Sequence, residues 1–220
     1  MRAIFLLSVQ LLGLKKEART GWNMKFPRGH ALKTRRVKNA ESVADHSWSL
    51  AMLAWVVGTM LGLDVFKLIK MTLVHDVAEY ITRDLPTATI QDAAARALAE
   101  ADKHAKEEIA MRETFLDTGL GDWGQECYDL WRDYEGQLSP EAKLLKQLDK
   151  FEACLQAQIY AEDKRNKLDP HEFFLYADQF MKSPQAVTLM ELLRERASQH
   201  EAEKPKTTKT SARTTTSAVA

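Results

Sequence analysis

Helix boundary signals recur along this chain, while almost nothing in it reads as a strand. Ser42 precedes "VADHSWSLAMLAWVVGTML" with Asp45 three residues on, a variant of the capping box, and Gly62 stops the run. Asp64 can cap a second helix that runs through "LVHDVAEYITRDLP" toward Pro86. A long polar-faced helix, "AAARALAEADKHAKEEIAMRETFLD", is closed by the glycine-rich "TGLGDWG", and "QECYDLWRDYEG" forms a shorter one. Ser139-Pro140 and Ser183-Pro184 each supply a cap followed by proline at the first helical position. Some seven or eight helices with short connections predict an all-α helical bundle in one domain over residues 1–201. Segment 22–40 has no apolar period and is expected to be a basic loop. Residues 202–220 hold no large apolar side chain except Val219, which predicts a disordered tail.

Balance of charge excludes some partners. Thirty-one basic and 31 acidic residues cancel, so no global field draws the chain to nucleic acid or to an anionic membrane. No stretch approaches the ~20 apolar residues that cross a bilayer. The N-terminal run after Arg2 is interrupted by Gln10, is followed by Lys15 and Lys16, and lacks a small-residue cleavage pattern. Ile4, Leu7, Leu11, Leu12 and Leu14 keep helical spacing instead, which fits a docking helix. Cys127 and Cys154 lie in helical sequence without CxxC spacing. Two buried free thiols in a reducing compartment suit them better than a disulfide, and the expected location is cytoplasmic.

Within "LVHDVAEYITRDLP" a histidine and several carboxylates interrupt an apolar pattern. Burying such groups unpaired costs roughly several kcal/mol each. Stepping from His46 by four, three, four and three residues meets Leu50, Leu53, Val57 and Met60, so His46 belongs to a buried face. His75 shares a stripe with Leu68, Thr72 and Glu79, with Asp76 beside it, and Asp149 shares one with Ala142, Leu145 and Ala153. Two imidazoles and two carboxylates on the inner faces of three helices would satisfy a divalent cation, and such nitrogen–oxygen sets suit Mn, Fe, Co or Zn. Hydrogen-bonded core histidines and a solvated aspartate are the competing account, since spacing alone does not bring three helices together. His104, His171 and His200 lie in polar surroundings and take no role. Trp48, Trp55, Trp123 and Trp131 fit core or interface positions.

The order His46, then His75-Asp76, then Asp149 is similar to the H…HD…D ligand pattern of the HD-domain metal-dependent phosphohydrolases. "ESVADHS", "VHDVAEYITRDLP" and "SPEAKLLKQLDKFEACLQA" resemble the subgroup of 5'-deoxynucleotidases and HD domain-containing protein 2, over about Leu12 to Tyr160. The resemblance implies a helical enzyme in which a metal-activated water removes the 5'-phosphate of a deoxyribonucleoside 5'-monophosphate. It implies His46, His75, Asp76 and Asp149 as ligands of one divalent cation (Mn, Co, Fe, Zn or Mg), with a possible second ion at Glu79 and Asp84. Glu79 is implied as the acid/base residue unless it holds that second ion. Asp84 is implied to lie near the sugar hydroxyl or the second metal, with Leu85 and Thr87 lining the pocket. Arg19 is implied to orient the phosphate, which a guanidinium fork suits. Trp22 is implied to pack beside C2' and exclude a ribose hydroxyl; the plainer alternative is that it packs the first helix onto the core.

The chain departs from the pattern between Trp22 and Arg35, where an insertion includes Phe26, Pro27 and His30. It could supply a different phosphate clamp from Arg28, Lys33, Arg35 or Arg36. Glu152, three residues after Asp149, is expected to support the ligands. A related enzyme acting on another nucleotide or phosphate ester remains open, as does a non-catalytic helical binding protein with a structural metal. Apolar helix faces in excess of one core, with family habit, suggest a homodimer.

Overall fold

The computed structural model describes residues 1–26 and 29–203. Among them lie eight α-helices of seven or more residues and one single-turn α-helix, with no strand beyond two isolated bridges. They are α1 (Arg2–Gly13), α2 (Val43–Leu61), α3 (Val65–Val74), the single turn α4 (Glu79–Thr82), α5 (Ala93–Met111), α6 (Gly121–Gly136), α7 (Pro140–Glu162), α8 (His171–Ala177) and α9 (Pro184–Glu203). The all-α expectation holds. Pro27, Arg28 and the expected tail from residue 204 onward lie outside the described residues. The helix α9 extends to Glu203, two residues into the segment expected as tail.

The local signals act as read. Ser42 accepts from the Asp45 N–H while the Asp45 carboxylate accepts from the Ser42 N–H, and Gly62 takes a left-handed conformation that ends α2. Asp64 accepts from the Lys67 N–H, and Ser139 from that of Ala142. Gly58 lets α2 approach α3 closely, because a Cβ there would stand 2.4 Å from Leu68 Cδ1.

Several boundaries differ. The helix expected to continue toward Pro86 stops at Val74. The His75 ring binds the carbonyl of Thr72, the acceptor a continuing helix assigns to the Asp76 N–H. Tighter turns follow, with the Val77 N–H on the Val74 carbonyl and the Glu79 N–H on the Asp76 carbonyl. After α4, Arg83 turns the chain with φ of 68°. The α6 helix starts at Gly121, inside the segment expected as turn, and α8 was not anticipated.

Core formation centres on α2, α3, α6 and α7, where Leu50, Leu68, Met71, Leu145 and Leu148 are fully buried. Each such side chain contributes roughly 1.5–3 kcal/mol. A second cluster joins α7, α8 and α9 through Phe151, Cys154, Phe174, Met190 and Leu193. The buried stripe of α2 is Val43, His46, Leu50, Ala54 and Gly58, so Met60 points outward, contrary to expectation. The α1 helix buries Leu7, and Leu14 is buried just beyond its end, while Ile4, Leu11 and Leu12 remain exposed. Trp131 is core, whereas Trp48, Trp55 and Trp123 are exposed. Both cysteines are buried free thiols; burial pushes Cys127 up to about 11 and Cys154 up to about 12.

Candidate metal centre and substrate pocket

Three parts of the core converge on one point: the inner face of α2, the break after α3, and the middle of α7. His46 is fully buried, His75 is 3% exposed and Asp149 is 5% exposed. Their ring centroids place the two imidazoles 5.5 Å apart. His46 Nε2 lies 3.3 Å from Asp149 Oδ1 and 3.9 Å from Asp76 Oδ2, and His75 Nε2 lies 3.1 Å from the same Asp76 oxygen. Leaving the helix at His75 is what lets two consecutive residues face one cavity.

Hydrogen bonds fix both tautomers. His46 Nδ1–H donates to Glu152 Oε2 at 2.7 Å, and His75 Nδ1–H donates to the Thr72 carbonyl at 2.7 Å. Each Nε2 therefore faces inward, and both Nε2 atoms are buried without a hydrogen-bond partner. One ligand atom from each of His46, His75 and Asp149 can be chosen so that all lie within 4.8 Å of one another. Burial opposes an imidazolium at His46, as does the charge of Arg19, yet the carboxylates of Asp149 and Glu152 outweigh both and raise its pKa to about 10. The cluster calls for positive charge among its ligand atoms, and the donor set fits a divalent cation.

Other side chains hold the carboxylates. Asp149 Oδ2 accepts from Tyr134 Oη at 2.9 Å and from Lys150 Nζ at 2.8 Å, which leaves Oδ1 toward the histidines. Glu152 also accepts from Ser49 Oγ. The expectation that Glu152 supports the ligands matches its contact with His46.

Alongside lies a cavity of about 430 Å³ whose walls include His75, Asp76, Glu79, Asp84, Arg19 and Trp22. Glu79, at the start of α4, is 3% exposed. Its Oε1 lies 3.5 Å from Lys103 Nζ on α5, and its Oε2 has no partner. Burial, then the charges of Asp76 and Asp84, pushes its pKa well above the usual carboxylate range. Lys103 also meets Glu107 at 3.1 Å. Asp84 follows the Arg83 turn and is fastened to the segment after α1: its Oδ2 accepts from the Thr20 N–H at 2.6 Å, and its carbonyl accepts from Thr20 Oγ1. Leu85 and Thr87 reach the same cavity.

Arg19 Nη1 stands 3.4 Å from Asp76 Oδ2, on the cavity side of the His46, His75 and Asp149 cluster. Trp22, 2% exposed, stacks on Phe173 at 4.9 Å and meets Tyr160 edge-on at 5.2 Å. Its Nε1–H donates to Glu41 Oε1 at 3.1 Å. It packs onto α7 and α8 rather than carrying α1 onto the core. Burial and the neighbouring Glu152 push Glu41 up to about 7.

The expected basic loop does more than its composition suggests. Arg35 is buried: its Nη1 donates to the Gly21 carbonyl at 3.0 Å and its Nη2 to Glu172 Oε2 at 2.9 Å, with the guanidinium 4.4 Å above the Phe173 ring. Leu32 and Arg35 line the cavity. Of the four alternative clamp residues, only Arg35 among the described ones reaches it. Lys33 pairs with Asp169 on the surface, and the Arg36 backbone pairs with Lys167.

Thr20, Lys103, Tyr134 and Lys150 belong to the site, and sequence reasoning missed them. Thr20 lay inside "ARTGW" and Lys150 directly after Asp149; Lys103 and Glu107 have helical spacing. Nothing local marks Tyr134.

Residues 13–188 match the family model described as HD domain. The chain is 35% identical over 195 residues to the 5'-deoxynucleotidase HDDC2 of Danio rerio, covering 87% of each. It is 38% identical to the Homo sapiens 5'-deoxynucleotidase HDDC2 over 162 residues, 72% of this chain and 69% of that protein. Among solved structures, the PH0347 protein of Pyrococcus horikoshii OT3 superposes with a TM-score of 0.63 at 28% identity, covering 88% of this chain and 98% of that one. No helix among the described residues is long and apolar enough to cross a membrane.

Proposed function

The chain belongs to the HD-domain family, and on that premise we propose the roles through which it acts as a metal-dependent phosphohydrolase on deoxyribonucleoside 5'-monophosphates. The observation that carries the reading is the pair of unpartnered, inward-facing Nε2 atoms beside Asp76 and Asp149 at the wall of a nucleotide-sized cavity. His46, His75, Asp76 and Asp149 would hold the divalent cation. A bound cation lowers the pKa of water toward neutrality and draws charge from a phosphoryl oxygen.

The remaining groups orient and exchange protons. Arg19 donates to the phosphate, whose approach to the carboxylates it also screens. Water oxygen bonds to phosphorus as the bond from phosphorus to O5' breaks, and the proton that the water gives up is matched by the one that the departing O5' takes. Glu79 Oε2, unpartnered beside the cavity, is the atom available to pass that proton. Asp84, held by Thr20, faces the sugar with Leu85 and Thr87, and Trp22 stands beside C2'. Glu79 and Asp84 could instead share a second ion. Asp84 Oδ2 already accepts from the Thr20 N–H and Glu79 Oε1 faces the Lys103 ammonium, which favours the single-ion arrangement.

Further features complete the reading. The cation is Mn, Co, Fe, Zn or Mg. Trp48, Met52, Trp55 and Val56 leave an exposed apolar stripe on α2, which supports a homodimer. The two free thiols support a reducing, cytoplasmic location.

Phosphate release over matched deoxyribo- and ribonucleotides, with each of Mn, Co, Mg, Fe and Zn, tests the assignment. We expect deoxyribonucleoside monophosphates to turn over fastest, and Glu79→Gln to lose at least about a hundredfold in kcat while keeping its metal. Wild-type turnover in Glu79→Gln would remove Glu79 from the chemistry.

A further inference from the structure

Stacking and hydrogen bonding constrain an indole in different ways. Phe173 fixes the plane of the Trp22 ring and Tyr160 closes one edge. Stacking on that plane does not distinguish the two ring orientations related by a half-turn about the Cβ–Cγ bond, and so does not fix which edge faces the cavity. The bond from Nε1–H to Glu41 Oε1 specifies it, because the indole has one donor and that donor has one partner. Which edge of the ring borders the cavity follows from that bond.

Glu41 is itself tied to both ends of the site. Its N–H donates to Tyr160 Oη at 2.8 Å, and its carbonyl accepts from the Arg19 N–H at 3.3 Å. Its carboxylate lies close to His46 and Glu152, with one oxygen of Glu41 and of Glu152 and a ring nitrogen of His46 mutually within 4.8 Å. It stands just before the α2 cap, so the backbone that positions His46 also positions the acceptor for Trp22.

We propose that Glu41 is a positioning residue for sugar selection: it sets which of the two ring orientations Trp22 holds relative to the metal ligands, and so decides how closely the indole edge approaches C2' of the bound nucleotide. The inference rests on the reading of Trp22 as the sugar-facing wall. A merely structural Glu41 would satisfy a buried donor and affect stability without touching discrimination between sugars.

The test compares Glu41→Leu, which removes the acceptor, with Glu41→Gln, which retains one. The readout is the ratio of kcat/KM for a deoxyribonucleotide to that for its ribonucleotide, measured with the metal-loaded full chain. The Trp22 Nε1–H resonance of the metal-free protein is the second readout, assigned by its disappearance in Trp22→Phe. Glu41→Leu should lower the ratio about tenfold and shift the resonance to that of an unbonded indole, while Glu41→Gln keeps the ratio within about twofold. An unchanged ratio in Glu41→Leu overturns the inference, as does an equal loss in Glu41→Gln. Should Glu41→Leu fail to fold, a rapidly exchanging, unshifted Nε1–H in the wild-type protein overturns it independently. Trp22→Ala separates the two levels: a ratio unmoved there removes the sugar wall and the inference with it. A ratio lost there but kept in Glu41→Leu removes only the role of Glu41.

Discussion

The candidate metal end of the cavity and the end proposed to face the sugar are built by opposite strategies. At the metal end, His46 and Asp149 project from long helices and His75 closes a third, and all three lie within the main core. Their orientation is inherited from packing, then locked by Glu152, Thr72, Tyr134 and Lys150. At the sugar end, the segment from Arg19 to Val37 has a single helical turn, at Thr20–Trp22, and otherwise no regular structure among its described residues. It is fixed by bonds to distant parts of the chain: Thr20 to Asp84, Trp22 to Glu41, Arg35 to Gly21 and Glu172, and the Val37 N–H to Asn23. On the proposed roles, groups that must meet within a few tenths of an ångström sit on rigid elements, and groups that select sit on loops laid over them.

Removing a ligand should break this contrast most severely. Asp149→Ala is expected to lose the cation and at least about a thousandfold in kcat, measured by metal analysis and phosphate release; full metal occupancy in that variant would show that the cluster is not the ligand set. Glu152→Ala sharpens the same end, because it spares every ligand and frees the His46 ring. Metal affinity should fall about 10- to 100-fold in a chelator competition, and an unchanged affinity would mean that packing alone orients His46. Arg35→Ala probes the other end. KM should rise severalfold while the metal dissociation constant stays within about twofold of wild type. A parallel loss of metal would show that the two ends are not independent.

Legibility followed the range of the interactions. Caps at Ser42, Asp64 and Ser139 were visible because each bond spans three residues, and the inward placement of His46, His75 and Asp149 was visible as interruptions of apolar stripes. The break at His75 was not, since no glycine or proline marks it and the cause is a ring capturing a carbonyl. Long-range pairings left no local trace: Glu152 is 106 residues from His46, and Arg35 is 137 from Glu172. Arg35 looked like loop charge because burial of a guanidinium depends on an acceptor and an aromatic face supplied from elsewhere. The exposed Met60 shows the opposite error, in which a periodic pattern outran the neighbours available to cover it.

The Arg35 N–H bond to the Met24 carbonyl, at 2.8 Å, and the Val37 N–H bond to Asn23 Oδ1, at 2.9 Å, act as a staple at the base of the inserted loop. Once such a base is closed, doubling the span above it costs only about 0.6 kcal/mol in chain entropy. Excursions of different length or sequence grafted above that staple would therefore leave the helical scaffold nearly indifferent. Retuning the mouth of the cavity by loop exchange, with the ion-holding machinery untouched, is an engineering route this architecture leaves open.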